Sequence, residues 1–316
     1  MTAVVLPYWF DRPPLEALEI ADAADSSGAT ELWVGEMMTF DAFALASAIA
    51  QRTSRLALWV GPLAIGLRDP ASLALGIASV SALGGRPAHL ALGASTPIVV
   101  SQWHGRPWCD TVRQMREASA AVRQIVAGER SSFSGRHVKT EGFRLAGGAL
   151  QAQLAIAAFG DKMIDTAAVL ADRVVVNLLT PALVARVKRR IAAAAAGASL
   201  AAPPLVAWIP AALDPGAETY AQLARQLVAY LSPPGYGEMF TEAGFGELVQ
   251  LARAGTHPRE LMQRIPRVLI EAVGAVGDAA TVRAKLDEFR AAGVDVVAVV
   301  PSTAEDPAGR RLLAMI

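Results

Sequence analysis

Short, almost unbroken apolar runs recur along this chain, and a segment of helical periodicity follows most of them. The runs occupy residues 3–6, 31–34, 56–60, 89–92, 153–157, 173–176, 205–209 and 294–299. Runs of Val, Leu, Ile and Ala without polar alternation suit strands buried on both faces, as in a parallel sheet. Parallel neighbours need a crossover connection, and residues 14–27, 41–52, 110–127, 161–170, 181–196 and 278–292 read as the helices that make it. Pro14 and Gly28 bracket the first helix, Asp41 opens the second, and Asp69-Pro70 opens the third with a cap and a first-turn proline. Eight such units without an antiparallel block predict an α/β fold, a (β/α)8 TIM barrel, in preference to an open doubly wound sheet. Two connections are longer. Residues 133–145 alternate around Ser134-Gly135-Arg136 and read as a hairpin inserted after the fourth strand. Residues 212–277, between the seventh and eighth strands, carry several helices and the loop Ser232-Pro233-Pro234-Gly235-Tyr236-Gly237, which suits a lid. Residues 1–316 are read as one domain.

Composition narrows the function. The chain has 316 residues, no net charge, 18% charged and 53% hydrophobic residues, which together suit a well-buried globular protein. No basic cluster favours nucleic acid, and the alanine run at 192–196 is too short to span a membrane. The first seven residues lack a basic region and a long apolar core, so they read as a first strand and not a signal peptide. The single Cys109 excludes an internal disulfide and a cysteine zinc site, and points to a reducing cytoplasm. Low charge combined with high apolarity makes a homodimer the expected assembly.

In a barrel the C-terminal strand ends share one mouth, where chemistry is placed. Here those ends are Pro7-Tyr8-Trp9, Gly35-Glu36-Met37, Gly61-Pro62, Gly93-Ala94-Ser95-Thr96, Phe159-Gly160-Asp161, Asn177, Pro210 and Pro301-Ser302. They are small, rich in hydroxyls and amides, and poor in acids, bases and metal ligands, so a cofactor is expected to carry the chemistry. Gly160-Asp161-Lys162-Met163 opens a helix whose free amides suit a phosphate, while Asp161 as a simple N-cap accounts for it equally. Gly93–Thr96 offers amides and two hydroxyls to an anion, or is a plain strand-to-helix turn. Glu36 is either a carboxylate beside a ligand or a cap on the next turn. His104 is either a proton carrier or a packing residue. His89, inside a strand, reads as structural, His137 and His257 as surface, and Cys109 as incidental.

Several stretches together resemble the bacterial luciferase-like superfamily, in particular its coenzyme F420 (deazaflavin) dependent oxidoreductases. They are Glu31–Glu36, Gln51–Leu56, Leu67-Arg68-Asp69-Pro70, Gly84-Gly85-Arg86, His89–Thr96 with Trp103-His104-Gly105, Ala158–Met163, Gly277-Asp278 and Ala291–Asp295. The resemblance implies a TIM barrel with a deazaflavin, or alternatively FMN, in its mouth. It implies a cis peptide at Gly61-Pro62 backing the ring, tail contacts at Gly93, Ser95, Thr96 and Gly160, Asp161, Lys162 and Met163, and Glu36 at the polar edge of the ring. Glu36 or His104 is the implied catalytic proton partner. Met37 stands where several deazaflavin relatives have a histidine, and Pro97-Ile98 where some have a glutamate, so a sugar-phosphate mechanism does not carry over. Trp9, Met37, Met38, Phe40, Trp103 and Trp108 favour a small apolar or conjugated substrate. The expected activity is hydride transfer with F420. The alternatives are an FMN-dependent monooxygenase and a non-catalytic ligand-binding member.

Overall fold

The computed structural model describes residues 2–36 and 38–316. In chain order the first elements are β1 (Thr2–Val5), α1 (Glu16–Ser26), β2 (Glu31–Val34), α2 (Ala42–Arg52), β3 (Ala57–Ala64), α3 (Pro70–Gly84) and β4 (Ala88–Gly93). A π-helical turn, Ile98–Trp103, precedes α4 (Thr111–Val126), β5 (Ser132–Ser134) and β6 (Lys139–Glu141). Then come β7 (Leu154–Ala157), α5 (Asp161–Leu170), β8 (Arg173–Asn177), α6 (Pro181–Gly197) and β9 (Leu205–Leu213). Five helices follow: α7 (Ala217–Leu231), α8 (Tyr236–Phe240), α9 (Gly246–Arg253), α10 (Pro258–Arg264) and α11 (Arg267–Val273). The chain closes with β10 (Ala275–Gly277), α12 (Ala279–Ala291), β11 (Val296–Pro301) and α13 (Arg310–Leu313). The fold is the α/β fold of a (β/α)8 TIM barrel, with the expected hairpin (β5, β6) and the expected helical insertion between β9 and β11.

Two compact units divide the chain. One holds residues up to Thr30, Val176–Arg190 and Leu205–Ile316; the other holds Glu31–Val175 and Ile191–Pro204. In the first, β1 pairs in parallel with β11, β11 with β9, and β9 with β10. The three-residue β10 has no counterpart among the eight apolar runs. It forms because β9 runs on to Leu213, so that Ala275 and Gly277 find partners in Ala211 and Leu213. In the second unit the parallel order is β2-β3-β4-β7-β8. Its register sets Val34 beside Val60, Ala64 beside Gly93, Leu92 beside Ile156 and Ala157 beside Val175.

Local chemistry accounts for several helix ends. Asp41, Asp69 and Asp278 accept hydrogen bonds from the amides of Ala44 (2.9 Å), Ser72 (2.9 Å) and Thr281 (2.8 Å). Gly85 ends α3 in the left-handed conformation at φ 62°. The first helix departs from expectation: it starts at Glu16, two residues after Pro14, and its C-cap is an extended Ser27. Arg86 of the Gly84-Gly85-Arg86 stretch is a structural staple. Its guanidinium donates to the carbonyl of Leu56 (3.1 Å), the carbonyl of Ala50 (3.2 Å) and the hydroxyl of Thr53 (2.7 Å).

At the N-terminal ends of the second unit's strands the interior is polar and aromatic. Trp33 and Trp59 stack with centroids 4.7 Å apart and 9° between planes. The Arg173 guanidinium lies 4.6 Å over the Trp59 ring and binds Glu31 at 2.6 Å. Glu31 belongs to β2 and Arg173 to β8, the two ends of a five-strand order. In a flat sheet those strands would lie about 19 Å apart, beyond the joint reach of the two side chains, so the sheet of this unit curls around its interior.

His89 sits in this cluster, 4.7 Å from Trp59, with Nδ1 accepting the Gln153 amide at 3.1 Å. Burial first, and then the charge of Arg173, push its pKa down to about 4, so the imidazole is neutral in the fold. A depressed histidine pKa means that the unfolded chain binds the proton first. Stability is therefore complete above about pH 6.5 and is lost as pH falls toward 4. After allowance for partial exposure we expect about 1–3 kcal/mol from this group across that window. Urea unfolding at pH 7, 5.5 and 4.5 should show a smaller acid loss in His89→Gln than in the wild type.

Candidate active site

The candidate residues collect on the second unit, at the C-terminal ends of β2, β3, β4 and β7. The ladder between β3 and β4 slips between Val60 and Leu63, and Gly61 occupies the slip at φ 125°. A Cβ at Gly61 would lie 2.1 Å from the Ala91 carbonyl oxygen and 2.8 Å from the Leu63 nitrogen, so only glycine lets β3 approach β4 there. The Gly61–Pro62 peptide is cis, as the resemblance implied. Pro62 then meets Gly93, whose missing Cβ would sit 3.1 Å from the Pro62 Cβ and 3.8 Å from that of Ala157. Three adjacent strand ends thus present backbone and small side chains at one level.

Beyond β4 the chain turns through Ser95, a non-glycine residue at φ 57° with an exposed side chain. The Trp108 indole fixes this turn by donating to the Ala94 carbonyl at 3.0 Å. Thr96 accepts the Val99 amide on its hydroxyl at 3.4 Å and the Val100 amide on its carbonyl at 3.0 Å, which starts the π-helical turn. His104 follows that turn and is exposed. Beyond β7, Gly160 takes φ 72° and is the N-cap of α5, with open space where a Cβ would be. This corrects the reading of Asp161 as the cap: Asp161 is the first helical residue, and the cap position is held by Gly160, which has no side chain. Asp161 and Lys162 are exposed, whereas Met163 is buried.

Glu36 lies past the end of β2 and is held hard. Its Oε1 accepts the Ala42 amide at 3.2 Å, at the start of α2, and the Arg68 guanidinium at 2.5 Å. The same Arg68 nitrogen binds Asp41. Burial works against the Arg68 charge, but its bonds to Glu36 and Asp41 outweigh this and raise its pKa above the usual arginine value. Burial likewise opposes ionisation of Asp41, yet Arg68 and the Ala44 amide bring its carboxyl below the ordinary range. Arg68 was not singled out from the sequence, although the Leu67-Arg68-Asp69-Pro70 stretch containing it was. Met37 lies outside the described residues.

The first unit has strand ends of its own. The Trp9 indole donates to the Pro301 carbonyl at 2.9 Å, and Ser302 donates to Gln222 at 2.7 Å, so both are structural. Asn177, buried at the end of β8, hydrogen-bonds Tyr236 from the helical insertion, and burial drives the Tyr236 hydroxyl pKa well above its ordinary value. His257 caps α10 by accepting the Arg259 amide at 3.2 Å. Among the described residues no three His, Cys, Asp or Glu side chains gather as metal ligands, and no helix is long and apolar enough to cross a membrane.

The fold and these glycine-lined strand ends are those of a barrel enzyme that builds its site on strand termini. The luciferase-like monooxygenase family profile matches residues 10–296, and the chain belongs to that family. It is 25% identical, over 95% of its length and 94% of the relative's, to a putative coenzyme F420-dependent oxidoreductase of Mycobacterium tuberculosis. The coenzyme F420-dependent tetrahydromethanopterin reductase of Methanopyrus kandleri superimposes with a TM-score of 0.82 at 20% identity, covering 99% of this chain and 96% of that one. The FMN complex of the oxygenating constituent of 3,6-diketocamphane monooxygenase from Pseudomonas putida superimposes with a TM-score of 0.70 at 18% identity, covering 100% and 96%.

The contact at Gly61 gives a sharp expectation. Gly61→Ala places a methyl group against the Ala91 carbonyl at a backbone angle unsuited to alanine. It should cost about 3 kcal/mol or more, read as a lower thermal midpoint in calorimetry. A midpoint within 1–2 °C of the wild type would overturn the steric account.

Proposed function

We propose that this protein is a hydride-transfer oxidoreductase that uses coenzyme F420. The observation that carries the reading is the set of neighbouring strand ends where Gly61 and Gly93 let β3, Pro62 and β4 pack closely and Gly160 leaves open space at the start of α5. A flat ring with an anionic tail needs close access to backbone. The relatives named for F420 support the same reading. The residues present fit the group. Gly61, Pro62 and Gly93 form the backing surface, and Glu36 offers a carboxylate oxygen to a ring N–H. Ser95 and Thr96, with the Gly160, Asp161, Lys162 and Met163 amides and the Lys162 ammonium, receive the tail. When bound, F420 supplies a hydride donor or acceptor carbon. His104, exposed at the end of the π-helical turn that follows Ser95 and Thr96, is the proton partner. Glu36 serves as acceptor, its Oε1 being already occupied by Arg68 and Ala42.

The substrate in this reading is a small apolar or conjugated organic molecule. The same strand ends admit FMN, and the FMN-bound neighbour supports a monooxygenase as the second reading. Both units serve one domain, since β8 and the family match run through both, and the protein works in the cytoplasm. It works there as a homodimer. The support is α3, which carries no charged residue and leaves Leu75 and Leu83 more than half exposed.

Titration with F420 and with FMN, read by fluorescence quenching, tests the cofactor. Tight FMN binding without F420 binding would overturn the first reading. With F420 turnover in hand, His104→Gln should lower kcat by about 100-fold with cofactor affinity retained. The assembly is checked by sedimentation: Leu75→Glu with Leu83→Glu should turn a dimer into a monomer.

A further inference from the structure

We infer that Arg68 is the positioning residue of the site: it pins Glu36 by one oxygen so that the other is presented to the ring N–H edge of the bound cofactor. The inference rests on the proposed function for the identity of the ligand, and on the geometry of the second unit for everything else.

Both hydrogen bonds to Glu36 fall on the same atom. Oε1 takes the Ala42 amide at 3.2 Å and Arg68 at 2.5 Å. Among the described residues Oε2 has no partner, and the side chain is 24% exposed. A glutamate has three free torsions. Two fixed donors on one oxygen remove most of that freedom and leave a single direction for the second oxygen.

Arg68 is itself held from behind. Its guanidinium lies 5.1 Å from the Phe43 ring centroid on α2. That ring lies against Gly76 of α3, where a Cβ would come within 2.5 Å of its edge. Support therefore runs from the α3 backbone through Phe43 to Arg68 and on to Glu36. Asp41 draws on the same Arg68 nitrogen, so two carboxylates converge on one cation. Without the cation they repel, and Glu36, the longer, turns away toward solvent. Asp41 keeps a separate task as the cap of α2.

A double-mutant cycle tests this, with F420 and FMN as the probes and dissociation constants as the readout. Arg68→Met and Glu36→Gln should each weaken the bound cofactor tenfold or more. The double variant should be no weaker than the worse single one. Arg68→Lys should recover part of the loss, because the charge returns without the planar fork. Asp41→Ser retains a cap and leaves Arg68 to Glu36, so affinity should stay within about twofold. A general structural role would instead add in the double variant and lower the thermal midpoint in parallel with affinity. If Arg68→Met does not fold, Arg68→Lys and Glu36→Gln with their double variant carry the same cycle. Wild-type binding with unchanged affinity in the Arg68 variants, or additive losses, overturns the role of Arg68 alone. A wild type that binds neither cofactor overturns the inference together with the proposed function.

Discussion

The bond between Glu31 and Arg173 is the constraint on which the second unit turns. It joins the first and last strands of the order β2-β3-β4-β7-β8 across the interior. Only a curled sheet permits it, and curling is what brings the ends of these strands around a common centre. Glu31 is buried and Arg173 partly so, which is costly unless the charges are partnered; Oε1 of Glu31 is paired, while its buried Oε2 has no hydrogen-bond donor among the described residues. Stacking on Trp59, which is itself stacked on Trp33, places the guanidinium against an aromatic face and offsets part of that cost. His89 in the same cluster is kept neutral by its burial and by the charge of Arg173.

At the opposite ends of the strands the determining factor is the absence of side chains. Gly61 allows β3 to bulge against the Ala91 carbonyl, and Gly93 receives Pro62. Gly160 leaves open space at the cap position of α5, where it offers no side chain. The two poles thus divide the work. One is filled by large aromatic and charged groups that fix curvature, and the other is built of glycines and small residues that let neighbouring strands approach closely. Stability residues on the N-terminal face and chemistry on the C-terminal face is the general pattern of this barrel.

The acid at the end of β2 shows how a polar group is made specific. Glu36 alone on a strand end would be a mobile, solvated carboxylate. With Arg68, the Ala42 amide and the Phe43–Gly76 contact behind them, it becomes a fixed acceptor. Its partners come from α2 and from the segment ahead of α3, elements that pack side by side in this unit.

Much of this was legible in the sequence. Near-continuous apolar runs mark strands buried on both faces, and Asp41, Asp69-Pro70 and Asp278 mark helix starts, because burial and capping are local and act through residue type. Gly61-Pro62, Gly93 and Gly160 also stand out, since glycine after a strand has few local explanations. The three-residue β10 was not legible, because it forms only where β9 extends to meet it. Nor was the cap of α5, since Asp161 is the common choice and the backbone placed Gly160 there instead. The partnership of Arg68 with Glu36 spans 32 residues, and that of Arg173 with Glu31 spans 142. Sequence by itself determined which of the longer segments become strands and helices and where bulk is missing. Which charges meet was decided only by the tertiary structure, because a charge pair depends on distance in space, and strand register and sheet curvature set that distance.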